Sequence, residues 1–139
     1  MKNLIHLLIV SLLLTNVWAD WKENSKRICD DNNMSYQQAL ETANKLNDLV
    51  KRNDKVAISK MVEYPVRIIK RKKSGDSIYY YIKTDKDFLG QYDSLFTPAL
   101  KKLLNEDHKV VCSSLMMIGT AGGHIWLSES FDIMSISPK

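Results

Sequence analysis

The chain has 139 residues, 45% of them hydrophobic and 26% charged, with 20 Lys and Arg against 16 Asp and Glu for a net charge of +4. That length suits one domain, and the composition is that of a globular protein with enough large apolar residues to fill one core. The charge is mildly basic and falls short of the imbalance that marks a dedicated nucleic-acid binder.

Met1 to Ala19 has the layout of a secretory signal peptide: Lys2 at the start, an apolar run from Leu4 to Leu14 broken only by His6 and Ser11, and an exit at Val17-Trp18-Ala19. A spanning helix needs about 20 apolar residues, and this run is shorter. Cleavage is expected after Ala19, with no cysteine nearby to carry a lipid. Residues 1–19 are therefore read as the leader and 20–139 as a single domain, periplasmic or secreted, without stable membrane insertion after cleavage. Removing 19 of 139 residues leaves 120, and the loss of Lys2 takes the charge from +4 to +3. In an exported chain the cysteine pair, Cys29 and Cys112, is expected to be bridged. The other reading keeps two thiols, Cys112 buried in a strand and Cys29 exposed. Neither cysteine has a His or Cys partner at ligand spacing, so no metal or other cofactor is expected.

Asp20 to Met34 reads as polar and irregular, with Asp30-Asp31-Asn32-Asn33 as a turn-forming cluster that lacks the glycine and closing glutamate of a calcium loop. Ser35 with Gln38 forms a capping box, and Tyr36, Ala39, Leu40, Ala43, Leu46, Leu49 and Val50 recur at helical spacing. This helix should end near Arg52-Asn53. Asp54 caps a second, shorter helix that buries Ala57, Ile58, Met61 and Val62. Pro65 pushes Tyr64 toward extended geometry, and a strand follows into Lys70-Arg71-Lys72-Lys73. Ser74-Gly75-Asp76 is a turn, and the return strand Ser77–Lys83 places Ile78, Tyr80 and Ile82 on one face and Tyr79 and Tyr81 on the other.

Thr84 and Asp87 cap the next helix, whose stripe is Phe88, Leu89, Tyr92, Leu95 and Phe96, and Thr97-Pro98 starts another. Three strands close the chain, Lys109–Ile118, His124–Ser130 and Phe131–Ile136. Strands segregated from helices predict an α+β fold with a curved, cone-like antiparallel sheet packed against the N-terminal and central helices. Such a sheet can leave a pocket on its concave side.

Three segments then stand in register: Met61-Val62-Glu63-Tyr64-Pro65-Val66-Arg67-Ile68, Asp87-Phe88-Leu89-Gly90-Gln91-Tyr92-Asp93-Ser94-Leu95-Phe96-Thr97, and Ile118-Gly119-Thr120-Ala121-Gly122-Gly123-His124-Ile125-Trp126-Leu127. Together they resemble small exported bacterial proteins of the nuclear transport factor 2-like superfamily. The resemblance covers most of Ser35 to Ile136. It implies a cone-shaped α+β fold and often a homodimer, but no activity, because that fold hosts isomerases, dehydratases, transport factors and scaffolds. Tyr64, Arg67, Phe88, Tyr92, Asp93, Phe96, Gly123 and Trp126 carry it here.

The candidate sites divide between two functions. An exported non-enzymatic domain would bind a small molecule or an envelope or secreted protein, as an inhibitor or immunity-type protein does. Its binding residues would be Tyr64, Tyr80, Tyr92 and Trp126 with the basic run Lys70, Arg71 and Lys72. The alternative is a small-molecule isomerase or lyase with Asp93 or His124 as base. Asp93 has a structural reading too, as a backbone partner near Thr97. His124 reads equally as a surface strand residue and His108 as a solvated loop residue. Gly119 to Gly123 lacks the lysine of a phosphate loop, and no Gly-x-Ser-x-Gly is present. Export argues against nucleic acid as the partner of the basic run.

Overall fold

The computed structural model describes residues 20–107, 109–115 and 117–139. The expected leader, its cleavage point and His108 lie outside them. Residues 20–31 form a helix, α1, where an irregular segment was expected. Its inward stripe is Trp21, Ser25, Ile28, Cys29 and Asn32, two of the five polar, so the sequence shows no clear apolar period. Outward, Lys26–Asp30 (3.5 Å) and Arg27–Asp31 (3.6 Å) pair one turn apart. The asparagines of the expected turn end this helix instead. Asn33 takes φ 55°, and Met34 and Asn33 N–H donate to Cys29 O (2.9 Å) and Asp30 O (3.1 Å), closing the helix in a Schellman motif.

Helix α2 (Tyr36–Lys51) starts at Ser35, whose Oγ accepts from Gln38 N–H, and ends the same way on Asn53 at φ 53°. Asp54 caps α3 (Lys55–Ser59), accepting from Ala57 N–H at 3.1 Å. Thr84 caps α4 (Asp85–Leu95) through Asp87 N–H, and Thr97 caps α5 (Pro98–Glu106) through Leu100 N–H. Strand β1 (Val62–Arg71) passes through the cis Tyr64–Pro65 peptide and pairs with β2 (Ser77–Ile82). Pro65, which has no N–H to give, falls before the β2 ladder begins at Val66 and inside the irregular stretch of the β6 ladder.

The segment expected as one strand, Lys109–Ile118, is two short antiparallel ones, β3 (Val111–Cys112) and β4 (Ile118–Thr120). Ser113 N–H donates to Met117 O at 2.8 Å, and Ser113 Oγ accepts from Leu115 N–H. Ser113 turns the chain where an unbroken apolar run would have extended it. A 3-10 turn (Ala121–Gly123) leads to β5 (Ile125–Leu127), and β6 (Ile133–Ile136) closes the sheet; both strands are shorter than expected.

The fold is α+β and cone-like: a curved, unclosed sheet in the order β2-β1-β6-β5-β4-β3, packed against the helices. All pairs are antiparallel except β1 with β6. The face toward the helices carries Val66, Ile68, Ile82, Ile118, Ile125 and Ile136, all buried. Against them lie Leu46 and Val50 of α2, Phe88, Tyr92 and Leu95 of α4, and Leu100 and Leu104 of α5. Cys29 and Cys112 form a disulfide that fastens α1 to β3, with Cα atoms 5.3 Å apart. Among the described residues, no helix is long and apolar enough to cross a membrane.

Candidate functional site

The space between sheet and helices is filled by rings. Phe88 meets Tyr64, Tyr92 and Phe96 edge to face at 6.2–6.3 Å, and Tyr92 stacks on Phe96 at 4.7 Å. Tyr92, a candidate ligand contact in the sequence, is fully buried in this cluster, and its hydroxyl has no hydrogen-bond partner. Burial, then the neighbouring Asp93 charge, pushes the Tyr92 hydroxyl up to about 12. Tyr64 is half-buried; its hydroxyl donates to Ser59 O at 3.2 Å, and burial followed by the Asp85 charge raises it to about 12.

Asp93 lies outside the ring cluster. Its carboxylate is 75% exposed and holds Lys55 Nζ at 2.9 and 3.0 Å, so the helix α4 residue pairs with α3 and not with the backbone near Thr97. The hydrogen bond from Lys55 holds this carboxyl below the usual carboxylate range. His124 is half-buried at the end of the 3-10 turn. Its Nδ1 lies 2.8 Å from Ser137 O, and because a carbonyl only accepts, Nδ1 carries the proton. Ser137 N–H returns a bond to His124 O at 2.7 Å, so the pair fastens the C-terminal segment. Trp126, on the outer face of β5, covers its cross-strand partner Gly119, where an added Cβ would sit 3.1 Å from the indole.

The remaining candidates meet on the β1–β2 hairpin. Lys72 N–H donates to Asp76 O at 2.7 Å, and Gly75 at φ +93° returns the chain, donating to Lys72 O. The ladder pairs Arg67 with Tyr81, Ile69 with Tyr79 and Arg71 with Ser77, all on the face turned away from the helices. Tyr79 is 68% exposed and Tyr81 56%. Lys70 and Tyr80 lie on the opposite face, the ammonium 5.3 Å from the ring centre, and the Tyr80 hydroxyl donates to Gln91 on α4 at 3.3 Å. Shallow clefts flank Tyr81. One of about 430 Å³ is lined by Tyr64, Pro65 and Lys83, and one of about 190 Å³ by Glu63, Pro65, Arg67 and Met134.

Charge singles out this hairpin more sharply than its local run of lysines does. From Glu63 to Lys83 there are Arg67, Lys70, Arg71, Lys72, Lys73 and Lys83 against Glu63 and Asp76, a surplus equal to the +4 of the whole chain. The rest of the chain is balanced. None of these cations forms an ion pair with a described residue; the pairs are Lys26–Asp30, Arg27–Asp31, Lys55–Asp93 and Lys102–Glu106. The structure thus gathers the basic run and its neighbouring tyrosines on one hairpin, with Arg67, Arg71, Tyr79 and Tyr81 on its outer face, Lys70 and Tyr80 on the other and Lys72 at the turn. It leaves Tyr92 in the core and Trp126 on β5, two strands beyond β1. The sequence signal for the wider site was the charge sum over the hairpin rather than any motif. No family model, curated protein or solved structure matches this chain.

Proposed function

We propose that this chain is an exported binding domain, without catalysis of its own, that docks an envelope or secreted protein through the outer face of the β1–β2 hairpin. The observation that carries the reading is the confinement of the net positive charge to one hairpin whose cations form no ion pair with a described residue. Unpaired charge on a projecting element steers association, and two exposed tyrosines beside it supply apolar contact with little side-chain entropy to lose. The disulfide and the signal-like Met1 to Ala19 support export. An inhibitor or immunity-type role fits such a surface. Nuclear transport factor 2-like membership is consistent with the cone-like sheet and adds no activity of its own.

The isomerase or lyase alternative needs a base facing an interior cavity. Asp93 is exposed and bound to Lys55, and the interior beside it is occupied by Phe88, Tyr92 and Phe96. The test uses the mature protein and its Arg67→Glu/Arg71→Glu/Lys72→Glu variant as baits for the exported protein fraction of the source cells. A species retained by the first and lost by the second, with an on-rate that falls as salt rises, supports the reading. Equal retention by both baits, or an on-rate indifferent to salt, overturns it.

A further inference from the structure

We infer that β2 is a docking edge, to which an extended acidic segment of a partner protein adds as a further strand of the sheet. This rests on the reading that the hairpin binds a protein, and it specifies how and which kind of segment. Strand β2 is terminal in the sheet order, so among the described residues one side of its backbone has no neighbouring strand. The Lys72–Asp76 bond sets which side that is. Antiparallel pairs alternate between hydrogen-bonded and open. With Lys72 and Asp76 bonded, the bonded pairs that follow are Lys70 with Ile78, Ile68 with Tyr80 and Val66 with Ile82. The N–H and C=O groups of Ser77, Tyr79 and Tyr81 therefore point outward, and none of them is bonded to a described residue.

Natural edges are blunted by a lysine, a proline, a bulge or brevity. The opposite edge, β3, is two residues long and held by the disulfide. Ser77-Ile78-Tyr79-Tyr80-Tyr81-Ile82 has none of these devices: it holds no charge, proline or glycine, and its residues favour strands. Of the hairpin cations, Arg67, Lys70 and Arg71 sit on β1, one strand back from the edge, Lys72 and Lys73 in the turn, and Lys83 just past the end of β2. They leave its backbone open and set the sign of what can approach.

That sign selects the occupant. A second copy pairing through β2 would set two hairpins, each with the full +4 surplus, side by side within about one Debye length. An acidic strand meets the same field with attraction. Added antiparallel or parallel, it would lie about 4.8 Å beyond β2, with alternate side chains beside Tyr79 and Tyr81 and facing Arg67 and Arg71 across one strand. Carboxylates at those alternate positions would be paired by cations that now have no partner.

The test follows amide exchange in the full mature protein with a blocked synthetic peptide of alternating Glu and Val. An alternating Lys and Val peptide and phosphatidylglycerol vesicles serve as comparators. With the Glu-Val peptide at ~10 times its Kd, exchange at Ser77, Tyr79 and Tyr81 should slow about tenfold, while the Lys-Val peptide leaves it unchanged. Tyr79→Pro removes an outward N–H without touching the β1 ladder, and it should weaken peptide binding at least tenfold more than Tyr79→Ala does.

Four results overturn the inference: no protection at millimolar peptide, equal protection by the Lys-Val peptide, equal loss in Tyr79→Pro and Tyr79→Ala, or vesicle binding without peptide binding. Protection that grows with protein concentration alone would assign the edge to a second copy and overturn it too. Should Tyr79→Pro fail to fold, the exchange pattern of the unaltered protein decides. Partner capture that depends on charge without amide protection removes strand addition and leaves the proposed function standing; capture indifferent to charge reversal removes that function first.

Discussion

The disulfide offers the most direct test of how this small domain is held together. Cys29 and Cys112 are 83 positions apart, so the bond closes the greater part of the described chain into one loop. In the loop-entropy relation, closing a loop of that length restricts the unfolded chain by about 4.5 kcal/mol at 25 °C. That is comparable with the whole stability of a marginal domain, ~5–15 kcal/mol. Both sulfurs are buried, Cys29 fully and Cys112 at 2% exposure, and each joins an element that has little else to hold it. Helix α1 presents a stripe interrupted by Ser25 and Asn32, and β3 is two residues long. Cys29→Ala/Cys112→Ala should therefore lose about 4–5 kcal/mol in urea unfolding and roughly 15–20 °C in Tm. Hydrogen exchange should show α1 and β3 opening before the β1–β2 ladder. A loss below ~1 kcal/mol would refute the reasoning. So would intact mass showing two alkylatable thiols in oxidised protein.

Three further outcomes follow from the ring cluster, the surface pair and the outer sheet face. Tyr92→Phe removes a buried hydroxyl that has no partner, so it should raise stability by about 1 kcal/mol in urea unfolding; a loss would mean the hydroxyl is bonded. Lys55→Ala should raise the Asp93 carboxyl toward its ordinary value in an NMR titration, and an unmoved Asp93 would sink the assignment. Because the folded-state value is the lower one, this pair stabilises at pH above the ordinary carboxylate range and is lost as acid passes below the folded value. Gly119→Ala puts a methyl 3.1 Å from the Trp126 indole and should cost about 1–3 kcal/mol with a shift in tryptophan fluorescence; unchanged stability and emission would show that the ring moves freely aside.

The elements legible in the sequence are those whose ends and faces are set locally. Ser35, Asp54, Thr84 and Thr97 each cap the helix assigned to them, because a short side-chain oxygen before an apolar stripe has one good use. The Ser74-Gly75-Asp76 turn fixes the hairpin register for the same reason. What sequence did not disclose was set by distant partners. Helix α1 buries Ser25 beside Cys29 and ends on a half-buried Asn32, so its inward face looks polar until the disulfide and β3 are in place. The β3–β4 break turns on Ser113 accepting and donating at one corner, a choice that needs β4 already paired with β5.

The candidate site shows the same division with a different outcome. Residue types identified Asp93 and His124 as possible bases, yet the roles of those side chains depend on neighbours remote in sequence, Lys55 and Ser137. The basic run, by contrast, needs no remote partner to be exposed, since a turn projects it. Lysines on an edge strand guard it against pairing. Topology takes Lys70 off the edge here. With β6 parallel to β1 on its inner side, β1 becomes an interior strand and its lysines leave the edge. The edge passes to β2, whose tyrosines and isoleucines carry no charge. A guard on the edge repels every incoming strand alike. The same charge one strand behind an open backbone repels basic strands and attracts acidic ones, so moving the lysines inward by about 4.8 Å converts a barrier into a filter.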